Sequence, residues 1–207
     1  MDTESLTGPN LTARARKIVA VVAGLNLVAA LGEATVAAII GSASLFADAA
    51  DFLEDFLINA LVLLALGWSV SSRRKASYWL AGLILIPALA SFTMVGWKLW
   101  SGQPPEPVAL SVTAGVALVV NVICAVLLMS LRSHGGALVT GAWLAARNDV
   151  LANILIIAAG LVTLAWFSIW PDVIVGLTIG IINLGAAREV FEQARAEVPE
   201  LELDDDA

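Results

Sequence analysis

Hydrophobic residues in this chain fall into six long runs that are separated by short polar segments. The runs cover residues 18–40, 43–69, 78–100, 108–131, 138–166 and 173–191. Runs of roughly twenty residues match the ~30 Å hydrocarbon core of a bilayer when they are coiled as helix. Backbone groups inside lipid must be hydrogen-bonded within their own segment, so each run is predicted to be a helix. The pattern therefore predicts an all-α membrane protein with six transmembrane helices.

The connections between the runs are short and carry turn signals. Gly41 and Ser42 turn the first run into the second. Residues 71–77 (SSRRKAS) are predicted to join the second run to the third, and residues 101–107 (SGQPPEP) form a proline-rich turn. Pro171 stands where the sixth helix is expected to begin, a position that proline favours. Tryptophans near the predicted ends of the runs are typical of membrane interfaces.

The distribution of lysine and arginine predicts the orientation in the membrane. With the N-terminus inside, nine basic residues fall on the cytoplasmic side, Lys98 falls on the other side, and Arg147 lies within the fifth run. Because positive residues collect on the cytoplasmic side, both termini are predicted to be cytoplasmic. The nine are Arg14, Arg16, Lys17, Arg73, Arg74, Lys75, Arg132, Arg188 and Arg195.

Composition favours a membrane protein over an acidic soluble one. Of the 207 residues, 59% are hydrophobic and 14% are charged. The net charge of −7 reflects the tail, because eight of the 18 acidic residues lie between Glu189 and Asp206. We expect residues 1–16 to be a cytoplasmic segment, 17–193 the six-helix domain and 194–207 a short acidic tail. The expected location is the bacterial inner membrane, and no nucleic acid is expected as a partner.

Acidic residues inside the second run carry the functional signal, since ionisable groups in lipid are costly and mark functional sites. At ~100° per residue, Asp48, Asp51, Asp55 and Asn59 fall within an arc of about 80° and form one polar stripe. Glu54 lies to the side of this stripe. Carboxylates placed so close together repel one another unless a cation or protons neutralise them. Hard oxygen ligands suit Mg²⁺, Mn²⁺ and Ca²⁺ and tolerate Zn²⁺ or Cd²⁺.

Polar residues in the first and fifth runs can face this stripe. Asp149 and Asn153 are four residues apart and share a helix face, while Arg147 points nearly opposite. Asn26 and Glu33, seven apart, also share a face, and Glu33 either lines the same pathway or forms a structural pair. Arg147 either extends to the membrane interface or pairs with Glu54. His134 lies in a loop, where a solvated side chain is the ordinary outcome.

Three segments resemble the cation diffusion facilitator family, the proton-coupled exporters of zinc and other heavy metals. Residues 26–55 (NLVAALGEATVAAIIGSASLFADAADFLED) resemble its first two helices. Residues 141–162 (GAWLAARNDVLANILIIAAGLV) resemble its fifth helix, and residues 170–191 (WPDVIVGLTIGIINLGAAREVF) the opening of its sixth. The resemblance implies export of a divalent cation against proton uptake, with Zn, Cd or Mn-type ions as cargo. It also implies a homodimer, held here by the membrane helices because the family's cytoplasmic metal-sensing domain is absent from this sequence.

The resemblance also implies a ligand set, from which this chain departs at one position. The family site is similar to a tetrahedral cage made of a His or Asp with an Asp four residues later, in both helix two and helix five. By position, Asp51 and Asp55 occupy the pair in helix two, and Asp149 occupies the second place in helix five. Ala145 stands at the first place in helix five, so one ligand is missing. A site without histidine resembles the manganese-type members more than a typical zinc site.

The antiparallel course of helices two and five suggests where a replacement ligand lies. Asp51 is expected to lie level with Asp149, and Asp48 with Asn153, while Asp55 faces the vacant position and lacks a partner. We therefore expect an oxygen site that is displaced outward, with Asp55 as an inner relay or proton carrier. The expected metal-site residues are Asp48, Asp51, Asp55, Asp149 and Asn153.

Two other functions compete with transport. A transport-inactive relative that regulates or assembles with another membrane protein is suggested by Ala145 and the missing domain, although retained carboxylates count against it. Phospholipid-synthesising transferases have similarly spaced aspartates but need glycine and an Ala-Arg pair in that motif, and intramembrane aspartyl proteases need a GxGD element. The sequence has neither. The chain is therefore predicted not to be an enzyme and to carry no cofactor other than its transported cation.

Overall fold

The computed structural model describes residues 13–64, 70–130 and 136–196. Within these ranges the chain forms six helices and no strand, as the sequence predicts. The helices are α1 (Ala13–Ile40), α2 (Ala43–Leu64), α3 (Val70–Ser101), α4 (Pro107–Met129), α5 (Gly136–Ala165) and α6 (Trp170–Ala196).

The predicted connection at residues 71–77 is wrong, because these residues belong to the first turns of α3. Four of its seven residues are arginine, lysine or alanine, which favour helix, and neither glycine nor proline interrupts it. Helix α6 likewise continues beyond residue 191, the predicted end of the sixth run, to Ala196. An exposed ion pair between Arg188 and Glu192, one turn apart with 2.7 Å between Nε and Oε1, supports this extension.

The turn between α3 and α4 is closed by a helix cap. Glu106 precedes α4 in an extended conformation, and its carboxylate accepts hydrogen bonds from the backbone N–H groups of Val108 and Ala109. Pro107 occupies the first position of the helix, where its missing N–H costs no hydrogen bond. The proline-rich segment thus ends one helix and starts the next within a few residues.

Helix α2 lies at the centre of the bundle and contacts α1, α3, α5 and α6. The closest helix pairs are α1 with α2, α4 with α5, and α3 with α6. A buried cluster joins five of the helices around the first half of α2. It consists of Ala37, Leu45, Ala47, Leu110, Ala114, Ile156 and Ile179. The acidic helix is therefore the one most enclosed by protein.

A single buried carboxylate fixes the first turn of α2. Asp172, in the first turn of α6, accepts hydrogen bonds from the backbone N–H groups of Ala43 (2.8 Å) and Ser44 (3.0 Å). It also accepts from the hydroxyls of Ser42 (2.7 Å) and Ser44 (2.6 Å). The first N–H groups of a helix have no partner within the helix and attract negative charge. Asp172 thus caps α2 from a different helix.

Lys98 completes this arrangement, which we call the Asp172 network (Gly41, Ser42, Ser44, Lys98 and Asp172). The ammonium group of Lys98 lies 3.6 Å from Asp172 Oδ2 and donates to the carbonyl of Gly41 at 2.5 Å. Both charged side chains are almost completely buried. Gly41 has a φ of 63°, and a Cβ there would lie 2.8 Å from the Trp97 ring, so the turn requires glycine. The network ties α1, α2, α3 and α6 together at one end of the bundle.

The close contact between α6 and α2 at Gly176 leads to a prediction about the stability of the protein. A Cβ at this position of α6 would lie 2.8 Å from the carbonyl carbon of Ala43, at the start of α2. Gly176→Val is therefore expected to push α6 away from α2 and to lower stability by about 1 to 3 kcal/mol. Gly185→Val is the matched control, since a Cβ there meets nothing within 4 Å. Thermal unfolding in detergent measures both, and equal midpoints would contradict the close packing of α6 on α2.

Within the part of the chain that the structure describes, three helical segments are long and apolar enough to cross a membrane by length and composition: Ala13–Ile40, Ala81–Ser101 and Pro107–Met129. Helices α5 and α6 contain the shorter apolar stretches Asp149–Ala165 and Trp170–Gly185. Helix α2 has sufficient length, but it carries four acidic residues. Its charge is compatible with a membrane position because other helices surround it.

Candidate metal site

The acidic stripe of α2 lies deep within the bundle. Asp48 and Glu54 are buried, and Asp51 and Asp55 are partly buried. At ~1.5 Å per residue, Asp48 and Asp55 lie roughly 8 and 18 Å along the helix from its start. That interval is near the middle of a ~30 Å hydrocarbon layer. The stripe therefore places its carboxylates in the central part of the helix, away from both of its ends.

Helix α5 meets the stripe in antiparallel register. The amide nitrogen of Asn153 lies 3.4 Å from Asp48 Oδ1 and also donates to the backbone carbonyl of Asp149 at 3.0 Å. The side chains of Asp51 and Asp149 approach within hydrogen-bonding range. Asp48 thus lies level with Asn153, and Asp51 with Asp149, as the topology predicts. Four of the five predicted site residues line this seam between α2 and α5.

Helix α1 contacts the stripe from another side. Asn26 donates to Asp55 Oδ2 at 3.3 Å, and the thiol of Cys124 on α4 donates to Asn26 at 3.5 Å. Near the other end of the stripe, the Glu33 carboxylate approaches that of Asp48. The expectation that Asp55 lacks a partner is therefore wrong, because an amide from α1 approaches it. The expectation took into account only helix five as a source of partners for Asp55.

Several buried oxygen atoms along these contacts have no hydrogen-bond partner among the described residues. They are both carboxylate oxygens of Glu33, Oδ2 of Asp48, Oδ2 of Asp149, Oδ1 of Asn153 and Oε2 of Glu54. Buried polar groups are normally satisfied, because leaving them without a partner costs free energy. Unpaired acceptors gathered around the acidic helix are suited to bind a cation or protons.

The seam nevertheless contains no closed cage in the part of the chain that the structure describes. No group of three or more His, Cys, Asp or Glu side chains there is arranged to hold a metal ion. The predicted residues come together as facing pairs instead. Asn59 donates its amide to the backbone carbonyl of Asp55 at 2.7 Å, so that amide is engaged within its own helix. The side chains of Ala145 and Arg147, and the whole of His134, lie outside the described residues.

Sequence reasoning missed the two charged residues of the Asp172 network. The sequence pattern places Lys98 only on the less positive side of the membrane and gives Asp172 no role. A lysine placed among apolar residues near a helix end, and an aspartate directly after Pro171, were available signals. Their pairing could not be read from the sequence, because it depends on how α3 and α6 meet the turn between α1 and α2.

Comparison with known proteins agrees with this arrangement of helices and acids. The family model of the cation efflux transmembrane domain matches residues 19–197. No curated protein matches the chain. The matched segment runs from α1 to the end of α6 and includes every acidic residue of the seam. The chain therefore belongs to the cation efflux family and is an integral membrane protein of the class that transports metal cations.

Proposed function

We propose that this protein exports a divalent metal cation through the seam between α2 and α5 and takes up protons in exchange. The observation that carries the proposal is the set of buried, unpartnered oxygens on Asp48, Asp149 and Asn153. These acceptors lie near mid-membrane, where a carboxylate needs a counter-charge. A divalent cation provides it in one step of the cycle and protons provide it in another.

The proposed binding site is displaced toward the end of the bundle that carries the Asp172 network. Asp51 and Asp149 form one level, and Asp48 and Asn153 form the next level outward. Asp55 is the inner relay or proton carrier. Asp55 accepts a hydrogen bond from Asn26 of α1 and lies outside the two levels of the proposed binding site.

The donor atoms at the proposed site are oxygens, which suit Mn²⁺ and also accept Zn²⁺ or Cd²⁺. Imidazole is a favoured zinc ligand, but the sequence contains one histidine, His134, and that residue is predicted from the sequence to lie in a loop. We therefore place Mn²⁺ first among the candidate cargo ions. Both termini are proposed to be cytoplasmic, in a bacterial inner membrane, and the active unit is proposed to be a homodimer formed through the membrane helices.

Flux into proteoliposomes tests the proposed function directly. Purified full-length protein is reconstituted, a pH gradient is imposed, and uptake of Mn²⁺, Zn²⁺, Cd²⁺, Fe²⁺, Co²⁺ and Mg²⁺ is measured. We expect uptake of at least one ion that depends on the gradient. Absence of flux for every ion from correctly inserted protein would favour the alternative function, a transport-inactive partner of another membrane protein, for which Ala145 is the motivating observation.

The displaced site predicts how strongly individual substitutions reduce cation flux relative to one another. Asn153→Ala is expected to reduce cation flux about as strongly as Asp149→Ala, because each removes one ligand side chain from the same site. Asp55→Ala is expected to affect the dependence on the pH gradient more than the affinity for the cation. Flux measured against cation concentration separates the two effects. Normal flux in Asn153→Ala together with no flux in Asp55→Ala would show that the site is not displaced.

A further inference from the structure

Glu33 is the most conspicuous buried charge that the proposed site leaves unused. It lies in the second half of α1, only 4% of its surface is exposed, and neither carboxylate oxygen has a hydrogen-bond partner in the described structure. The two salt bridges found among the described residues do not involve it. No lysine or arginine whose side chain the structure describes therefore forms a salt bridge with it.

The position of Glu33 places it at the outer level of the site. Its carboxylate approaches Asp48 from α1, while Asn153 approaches Asp48 from α5. Two ionised carboxylates are both acceptors, so neither can donate a hydrogen bond to the other. Asn153 directs its amide nitrogen at Asp48, which leaves its own oxygen free. Three helices thus present unpaired oxygens at one level.

The helix register shows that this approach is built into the fold. Glu33 lies seven residues from Asn26 on α1, and Asp48 lies seven residues from Asp55 on α2. The two helices run antiparallel through the Gly41 turn, and the pairs Glu33–Asp48 and Asn26–Asp55 form at the two ends of the same interface. The approach of Glu33 to Asp48 therefore follows from the packing of the whole hairpin.

We propose that Glu33 is a ligand of the transported cation and that it forms an outer binding level together with Asp48 and Asn153. This inference rests on the proposed function, since it adds a residue from α1 to the site between α2 and α5. A divalent cation at this level receives oxygen donors from three helices. Its charge offsets the repulsion between the two carboxylates, which in the absence of a cation is relieved by a proton. The site is then lined by α1, α2 and α5 and not by the α2–α5 seam alone.

Equilibrium binding of Mn²⁺ to the purified full-length protein tests this role. Glu33→Gln keeps the shape of the side chain and supplies an amide that can donate to Asp48, so the fold is expected to persist. The dissociation constant for Mn²⁺ is expected to rise by roughly tenfold or more, because the affinity of oxygen sites depends on the number of charged ligands. Glu192→Gln is the matched control, since it removes an exposed carboxylate far from the site, and its affinity is expected to equal that of the wild type.

The outcomes of this experiment separate the two proposals. Wild-type protein that neither binds nor transports any of the six ions contradicts the proposed function itself. Wild-type binding with an unchanged Mn²⁺ affinity in Glu33→Gln overturns the ligand role while the proposed function stands. If Glu33→Gln releases fewer protons than the wild type on Mn²⁺ binding and its Mn²⁺ affinity is unchanged, Glu33 holds a proton and is not a ligand. This result also overturns the ligand role. If Glu33→Gln fails to fold, Glu33→Asp, which keeps the charge but withdraws the oxygens, replaces it and must also weaken binding.

Discussion

Asp172→Ala is expected to lower the free energy of unfolding by about 3 to 5 kcal/mol, because it leaves a buried ammonium group without its counter-charge. Lys98 lies 3.6 Å from Asp172, and both side chains are almost completely buried. The substitution also removes the acceptor for two backbone N–H groups at the start of α2. Thermal unfolding in detergent, followed by circular dichroism, measures the loss.

A double substitution distinguishes the unpaired charge from the lost cap. Lys98→Met combined with Asp172→Ala removes both charges and still lacks the cap, so it differs from Asp172→Ala only in the unpaired ammonium group. This variant is expected to recover a large part of the stability that Asp172→Ala loses, because neither side chain is left as an isolated buried charge. An unfolding midpoint of Asp172→Ala equal to that of the wild type would contradict the network as described.

Asp51→Asn is expected to abolish transport without lowering stability. Asp51 lies within hydrogen-bonding range of Asp149 and next to the other acids of α2, so its charge is repelled on several sides when no cation is bound. Loss of this carboxylate is expected to reduce cation flux roughly a hundredfold or more. At metal sites, loss of a residue that only hydrogen-bonds to a ligand already reduces activity by up to about that factor. The unfolding midpoint in the absence of metal is expected to stay the same or to rise.

The opposite effects on flux and stability make Asp51→Asn informative. Substitution of a residue that has a structural role lowers the stability of the protein. Substitution of a residue that has a binding role often raises the stability of the protein and lowers its function. Proteoliposome flux and thermal unfolding are measured on the same preparation, with Glu192→Gln as the control for loss of an exposed carboxylate. A variant that loses stability and retains flux would show that Asp51 has a structural role.

Much of the site follows from local sequence rules. The spacing of Asp48, Asp51 and Asp55 predicts a single stripe, and the short Gly41 turn predicts an antiparallel hairpin. From these two facts alone, the approach of Glu33 to Asp48 and of Asn26 to Asp55 could have been predicted. The six helices likewise follow from the length of the apolar runs.

Other features depend on tertiary structure and could not be predicted from the sequence. The early start of α3 is the exception, because it follows from the local helix propensity of residues 71–77, which the length of the apolar run does not report. The cap on α2 comes from Asp172, which is more than a hundred residues away along the chain. Local capping rules examine the residues next to a helix start and therefore find Ser42, which bonds the N–H of Leu45 at 3.2 Å, but not the carboxylate.

The cap on α2 also constrains the order in which the protein can be completed during synthesis. Chains emerge from the ribosome N-terminus first, so the hairpin of α1 and α2 enters the membrane before α6 has been translated. Until Asp172 arrives, the first turn of α2 has unsatisfied N–H groups, and its acidic residues lack the enclosure that the later helices provide. The acidic helix therefore reaches its final structure only when the last helix is inserted. A nascent chain that is released before that point exposes the acidic residues of α2, whose transfer into lipid costs the most free energy, without the helices that enclose them in the complete protein.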